Sequence, residues 1–259
     1  MAHKKRHKKE RYNQEEQEQY NNTRYNLTKG GTLKEQLEVL IDDIRIKPKT
    51  ENQKKFLKLI NDNEIIICSG PAGTGKTLLM VSEALRLLKN KDTPYKKIVL
   101  IKSVTQLKGE ELGHLKGSVD EKMQGFMYSF MYIFNQIIGK KTTDILVEQG
   151  FIEVVPLSFI RGMNWSETLI IVDEAQNISI DNMETVLTRI SHNSKLVLVG
   201  DTKQIDIKNK KESSLQIISE KFQGIDKFGV MAFEKGDQVR NPIINVIEDV
   251  FDKIKEGNL

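Results

Sequence analysis

What this chain lacks narrows it first. Cys68 is its single cysteine, so no internal disulfide can form, and a reducing, cytoplasmic setting is expected. No run approaches the ~18 apolar residues that a spanning helix needs, so no membrane association is expected. The first residues carry charge but no apolar core segment, so they are not expected to act as a secretory signal. The formal net charge of +4 is too small, by itself, to establish a nucleic-acid partner.

What is present is an ordinary globular composition. The 259 residues are 38% hydrophobic and 29% charged. That is ample for a packed core, and the length allows one or two domains. Residues 65–80 read IIICSGPAGTGKTLLM. An apolar run enters a Gly-rich turn, then Lys76 and Thr77, then an apolar helix start. Gly70 and Gly75 with Lys76 and Thr77 make the phosphate-loop pattern G-x-x-x-x-G-K-[ST]. Its glycines let backbone N–H groups face phosphate oxygens, and the following helix directs its positive end at the same anions. Lys76 is placed for the β- and γ-phosphates, and Thr77 for Mg²⁺.

The remaining chain divides around that loop. Residues 1–30 are poor in core formers and open with Lys4, Lys5, Arg6, Lys8 and Lys9, with no acid among the first nine. They are expected to form a disordered arm, either gripping nucleic-acid phosphates or only solubilising the chain. Residues 31–259 are expected to form one domain. Leu33, Leu37, Leu40, Ile41 and Ile44 predict a helix that Lys47-Pro48 ends. Thr50 predicts an N-cap with Gln53 as its capping-box partner. Gln53 could serve only there, or its amide could pair with the edge of adenine. Positions 119, 123, 126, 127, 130, 131, 134, 137 and 138 form an apolar helical stripe, off which Tyr128 and Tyr132 fall. The loop 109–117, with His114, reads as flexible and polar.

Further apolar runs end in polar tips. Residues 97–101 lead to Lys102. Residues 169–172 end in Asp173 and Glu174. A buried strand would deliver Asp173 beside the Mg²⁺ position, and Glu174 one residue further could polarise a water for attack on the γ-phosphate. This favours hydrolysis over transfer to a small acceptor. Residues 195–199 repeat the design and exit through Gly200, Asp201 and Thr202 to Gln204, which can report the γ-phosphate. A strand over 229–233 precedes Arg240 and a last helix over 243–254. Arg240 could pair with Asp237 on the surface, or neutralise charge on the transferring phosphoryl group.

With TENQKKF, GPAGTGKT, VPLSFIRG, IIVDEAQN, LTRI, GDTKQID and VRNP in order, residues 48–255 resemble the PhoH-like phosphate-starvation-inducible ATPases. These are related to the ATPase core of superfamily 1 helicases. The resemblance implies an α/β, RecA-like P-loop NTPase fold, with a mostly parallel sheet and helices on both faces. It implies ATP and Mg²⁺ as ligands. It assigns adenine to Gln53, and the phosphates to Gly70, Pro71, Ala72, Gly73, Thr74, Gly75, Lys76 and Thr77. Metal and water fall to Asp173 and Glu174, γ-phosphate sensing to Gln204, and the role of a candidate arginine finger to Arg240. Arg161 matches a family arginine of unassigned role. Lys102-Ser103 stands where the family commonly shows Arg-Pro.

A superfamily 1 helicase closes two such domains around ATP, but this chain holds one phosphate loop. Either the second wall comes from another copy, in a homo-oligomer such as a hexameric ring with Arg240 or another arginine acting in trans, or the protein unwinds nothing. The expected function is ATP hydrolysis on RNA or single-stranded DNA. An ATP-driven switch for a protein partner is the alternative, and a small-molecule kinase a third class that Glu174 speaks against.

Overall fold

The computed structural model describes residues 31–102, 119–207, 213–241 and 243–255. The expected arm over 1–30 and the loop over 109–117 lie outside them. The first helix, α1 (Leu33–Leu40), is capped by Thr32 and Glu35 in a reciprocal capping box. It stops at Ile41, short of the expected Lys47-Pro48. The carbonyls beyond have other partners: Lys89 donates to Ile41 at 2.7 Å and Arg86 to Ile44 at 3.1 Å. Residues 42–49 therefore form an extended strap against a later helix.

After the strap come α2 (Glu51–Asp62), β1 (Ile65–Ser69), α3 (Lys76–Lys89) and β2 (Lys97–Lys102). Then follow α4 (Val119–Ile138), α5 (Lys140–Glu148), β3 (Ile152–Pro156) and β4 (Thr168–Asp173). The chain continues through α6 (Ile180–Leu187), β5 (Lys195–Gly200), α7 (Ser214–Lys221), β6 (Phe228–Ala232) and α8 (Ile243–Lys255). Short 3-10 turns over Leu157–Phe159, Ala175–Asn177 and Lys235–Asp237 connect them.

The strands form one sheet in the order β3-β2-β4-β5-β1-β6. All its pairings are parallel. Parallel strands covered on both faces need continuous apolar runs, which these have. Alternation then divides each run. Ile66, Cys68, Leu100, Ile171 and Val199 face a core shared with α1 to α5. Ile67, Val99, Ile170, Val172 and Leu198 face a second core with α6 and α7. The expected α/β fold with helices on both faces is the one observed. Tyr128 and Tyr132 are exposed on α4, while Phe130 and Phe134 are buried.

The register places the chemistry. Ser69 pairs with Gly200, and Lys102 with Asp173. β5 separates β1 from β4, so the loops after all three strands open on one edge of the sheet. That carboxyl edge is where ligands bind in open α/β folds.

Candidate nucleotide-binding site

The loop from β1 to α3 has the shape its glycines permit. Gly70, Gly73 and Gly75 have φ of 144°, 84° and 83°. A Cβ on Gly70 would lie 2.6 Å from the Phe233 Cβ and 2.8 Å from its carbonyl oxygen, so the loop backbone meets the end of β6 too closely for a side chain. Lys76 curls into the loop, donating to the carbonyls of Gly70 and Pro71 at 2.7 and 2.8 Å and to the Thr74 hydroxyl at 3.3 Å. Burial holds its ammonium below the ordinary lysine range, against the pull of Asp201, Asp173 and Glu174. The lysine thus occupies the loop interior and is close to a nest of backbone groups suited to phosphate.

Gln53 is buried. Thr50 caps α2 by accepting the Gln53 N–H at 3.1 Å. The Gln53 side chain does not complete a capping box. Its oxygen accepts the Lys49 N–H at 2.6 Å and its amide donates to the Thr74 carbonyl at 2.9 Å. It ties the strap and α2 to the phosphate loop, so an adenine contact would have to exchange these bonds.

Across from the loop, the Thr77 hydroxyl lies 3.3 Å from Asp173 Oδ1. Burial, then the Glu174 charge, push the Asp173 carboxyl up to about 6. Among the described residues there is no cluster of three His, Cys, Asp or Glu able to hold a metal ion. A cation at this point would take one hydroxyl and one under-compensated carboxylate from the protein, and phosphate and water for the rest. That donor set fits Mg²⁺. Glu174 follows with φ 55° and ψ 38°, the left-handed region that costs a non-glycine residue of order 1 kcal/mol. The Asn177 N–H donates to its carbonyl at 2.9 Å and holds the turn.

Sequence reasoning missed the residue that joins the halves. Buried Gln176 donates to Glu174 Oε2 at 2.7 Å and to the Gln204 carbonyl at 3.0 Å. Its own oxygen accepts the Asp201 N–H at 3.0 Å. Asp201 was also missed: its carboxylate accepts the loop N–H of Ala72 at 3.2 Å. The adjacent motif letters were visible, but these pairings span three separate strand ends. Gln204 itself is exposed and lines a cavity of about 580 Å³ with Gly70, Pro71, Ala72 and Asp201.

The segment before α8 closes the other side. Gln238 donates to the Ala72 carbonyl at 3.1 Å, and the Val239 N–H to the Gly73 carbonyl at 3.0 Å. Arg240 then lies across Gly73, where a Cβ would meet its Cδ at 2.6 Å. The arginine is therefore at the loop of its own chain. Asp237 is not its ion-pair partner: that carboxylate accepts from Asn52 at 2.8 Å and from the Glu234 N–H at 2.9 Å. Burial pulls the Asp237 carboxyl up, but hydrogen bonds from Asn52, Glu234 and Thr50 hold it below the usual carboxylate range.

A parallel sheet with this loop at the end of β1 and an acid pair at the end of β4 defines a P-loop NTPase. The PhoH family model, described as "PhoH-like protein", matches residues 45–252, and the chain belongs to that family. It is 35% identical over 208 residues to a PhoH-like protein of Bacillus subtilis, covering 80% of this chain and 64% of that one. It is 33% identical over 211 residues to a PhoH-like protein of Mycobacterium tuberculosis, covering 82% and 59%. The chain thus spans less than two thirds of these relatives. Among solved structures, it is similar to the large terminase of a thermophilic bacteriophage, at a TM-score of 0.44 and 13% identity over 78% of this chain and 50% of that one.

Proposed function

We propose that this chain is a Mg²⁺-dependent ATPase acting on RNA or single-stranded DNA, in the cytoplasm and as a homo-oligomer. The observation that carries the hydrolytic part is the Gln176 amide. It fixes Glu174 beside Asp173 and links both to the Asp201–Gln204 turn at the mouth of the phosphate loop. In this scheme the triphosphate displaces the Lys76 ammonium from its loop carbonyls and takes its donors. Thr77 and Asp173 would hold Mg²⁺, which when bound would supply charge neutralisation at the phosphates. Glu174 orients and polarises the attacking water, Gln204 reads the γ-phosphate, and Arg240 offsets its charge in cis. Gln53 is the candidate adenine contact. With Arg240 committed to its own loop, an arginine acting from a neighbouring copy would have to be a different one.

The nucleic-acid part is supported by the basic run over residues 1–9. The test is the ATPase rate with Mg²⁺ as RNA and DNA single strands are titrated in. Stimulated turnover is expected. Absence of turnover under every condition sinks the enzyme assignment, and turnover indifferent to every strand sinks the nucleic-acid partner. Removing residues 1–29 should flatten the salt dependence of strand binding if the arm grips phosphate.

A further inference from the structure

A second cavity, of about 490 Å³, opens between the turn after β3 and helix α6. It shares no lining residue with the nucleotide cleft. It lies beyond β4 on the same carboxyl edge of the sheet. Ser158, Arg161, Asn177, Asn182 and Thr185 line it, with Leu157 and Ile160 as its apolar wall. We propose that this cavity seats one nucleotide unit of a single-stranded nucleic acid, with a phosphate on Arg161, and that the adjacent base stacks on exposed Phe159, which lies outside the lining. The inference rests on the nucleic-acid part of the function proposed above and names where the strand is read.

The lining suits that ligand. Arg161 is exposed and carries the only charge among the described residues of the lining, and a guanidinium matches the two-oxygen edge of a phosphodiester. The other polar groups are neutral hydroxyls and amides, able to meet sugar and base edges without discriminating strongly among them. Phe159 sits between lining residues Ser158 and Ile160 and is 59% exposed. An aromatic ring left in water two residues before an arginine can stack an unpaired base. The acids Asp181 and Glu184 of α6 lie outside the lining. The walls are fixed to each other: Arg189 donates to the carbonyls of Met163 and Thr185, each at 3.2 Å.

The cavity also adjoins the catalytic turn. Within Ala175–Asn177, Gln176 reaches the nucleotide side while Asn177 lines this cavity and accepts the Asp206 N–H at 2.7 Å. The Asn177 N–H holds the Glu174 carbonyl at 2.9 Å. A strand seated here therefore bears on the backbone that sets Glu174, giving a route from strand binding to hydrolysis.

Fluorescence anisotropy of the full chain with labelled RNA and DNA strands of the same sequence, about 12 nucleotides long, tests this. Phe159→Ala and Arg161→Ala should each weaken binding at least ~10-fold and abolish stimulation of the ATPase, with the strand-free rate and melting temperature unchanged. Arg161→Lys, which keeps charge but not the fork, should fall between. The RNA and DNA arms show which strand is preferred. Wild-type binding retained in both alanine variants overturns the cavity's role and leaves the nucleic-acid partner standing. If the wild type binds neither strand, the partner and the cavity's role fall together.

Discussion

At the scale of single residues, Asp173 carries an electrostatic cost that the proposed Mg²⁺ role would explain. Its folded pKa is raised from 3.8 to about 6. At pH below about 4 both folded and unfolded forms are protonated and nothing is lost. Between 4 and 6 the unfolded chain ionises first, so stability falls as pH rises, by up to about 3 kcal/mol in total. Asp173→Asn removes the charge. At pH 7.5 the nucleotide-free variant should melt above the wild type, with the gap closing toward pH 4. Equal melting at pH 7.5 would remove the case for a strained carboxylate. If Asp173 holds Mg²⁺ as proposed, the same variant should lose the stabilisation that Mg²⁺ adds to bound ATP. Glu174→Gln separates the next step: it should retain ATP binding and hydrolyse at least ~100-fold more slowly, and unchanged single-turnover rates would strip Glu174 of its role.

At the scale of elements, α2 ends on a cation from elsewhere. Lys195, at the start of β5, donates to the carbonyls of Ile60 and Asn63 at the C-terminus of α2. Burial lowers its pKa to about 8. Lys195→Met should cost about 1–3 kcal/mol in a urea titration at pH 7, since buried carbonyls lose their donor. Between pH 8 and 10.5 the wild-type unfolded chain keeps a proton that the folded chain has released, so wild-type stability gains with rising pH there. The variant should lack that gain, and an identical pH response in both proteins would count against it. Such pairings also show what the sequence could not display. Strands were legible as apolar runs ending in polar, Gly or Pro positions, and the phosphate loop because it is contiguous. Helix α5 was not, since Ile145, Leu146 and Val147 are consecutive rather than periodic. Helix α7 buries only Leu215 and Ile218 from its apolar set, too few for a helical stripe to stand out. The early end of α1, the Gln176 bridge and the Gln238–Ala72 bond depend on partners far along the chain, so no local pattern announces them.

At the scale of the whole molecule, α8 leaves an unusual surface. Ile243, Val246, Ile247, Val250, Phe251 and Ile254 are between 43% and 56% exposed and recur at helical spacing. Contiguous apolar surface of this kind marks contact sites. Lys235 anchors the helix through Asp249 at 2.5 Å. Ile247 and Phe251 also line the nucleotide cleft with Gly70, Pro71 and Ala72. Anything that covers the stripe therefore becomes part of the wall of that cleft. In the homo-oligomer proposed above, that cover is a second copy of the chain, which would add a wall to the cleft. Light scattering of the wild type with Mg²⁺ and ATP should then give a multiple of the 29.7 kDa chain mass. The double variant Ile247→Asp and Phe251→Asp should give the single-chain mass, because two carboxylates cannot be desolvated against an apolar partner. Its ATPase rate per chain should fall with the mass. A wild type that stays monomeric with nucleotide bound would remove the second copy from the site and leave α8 to close the cleft within one chain.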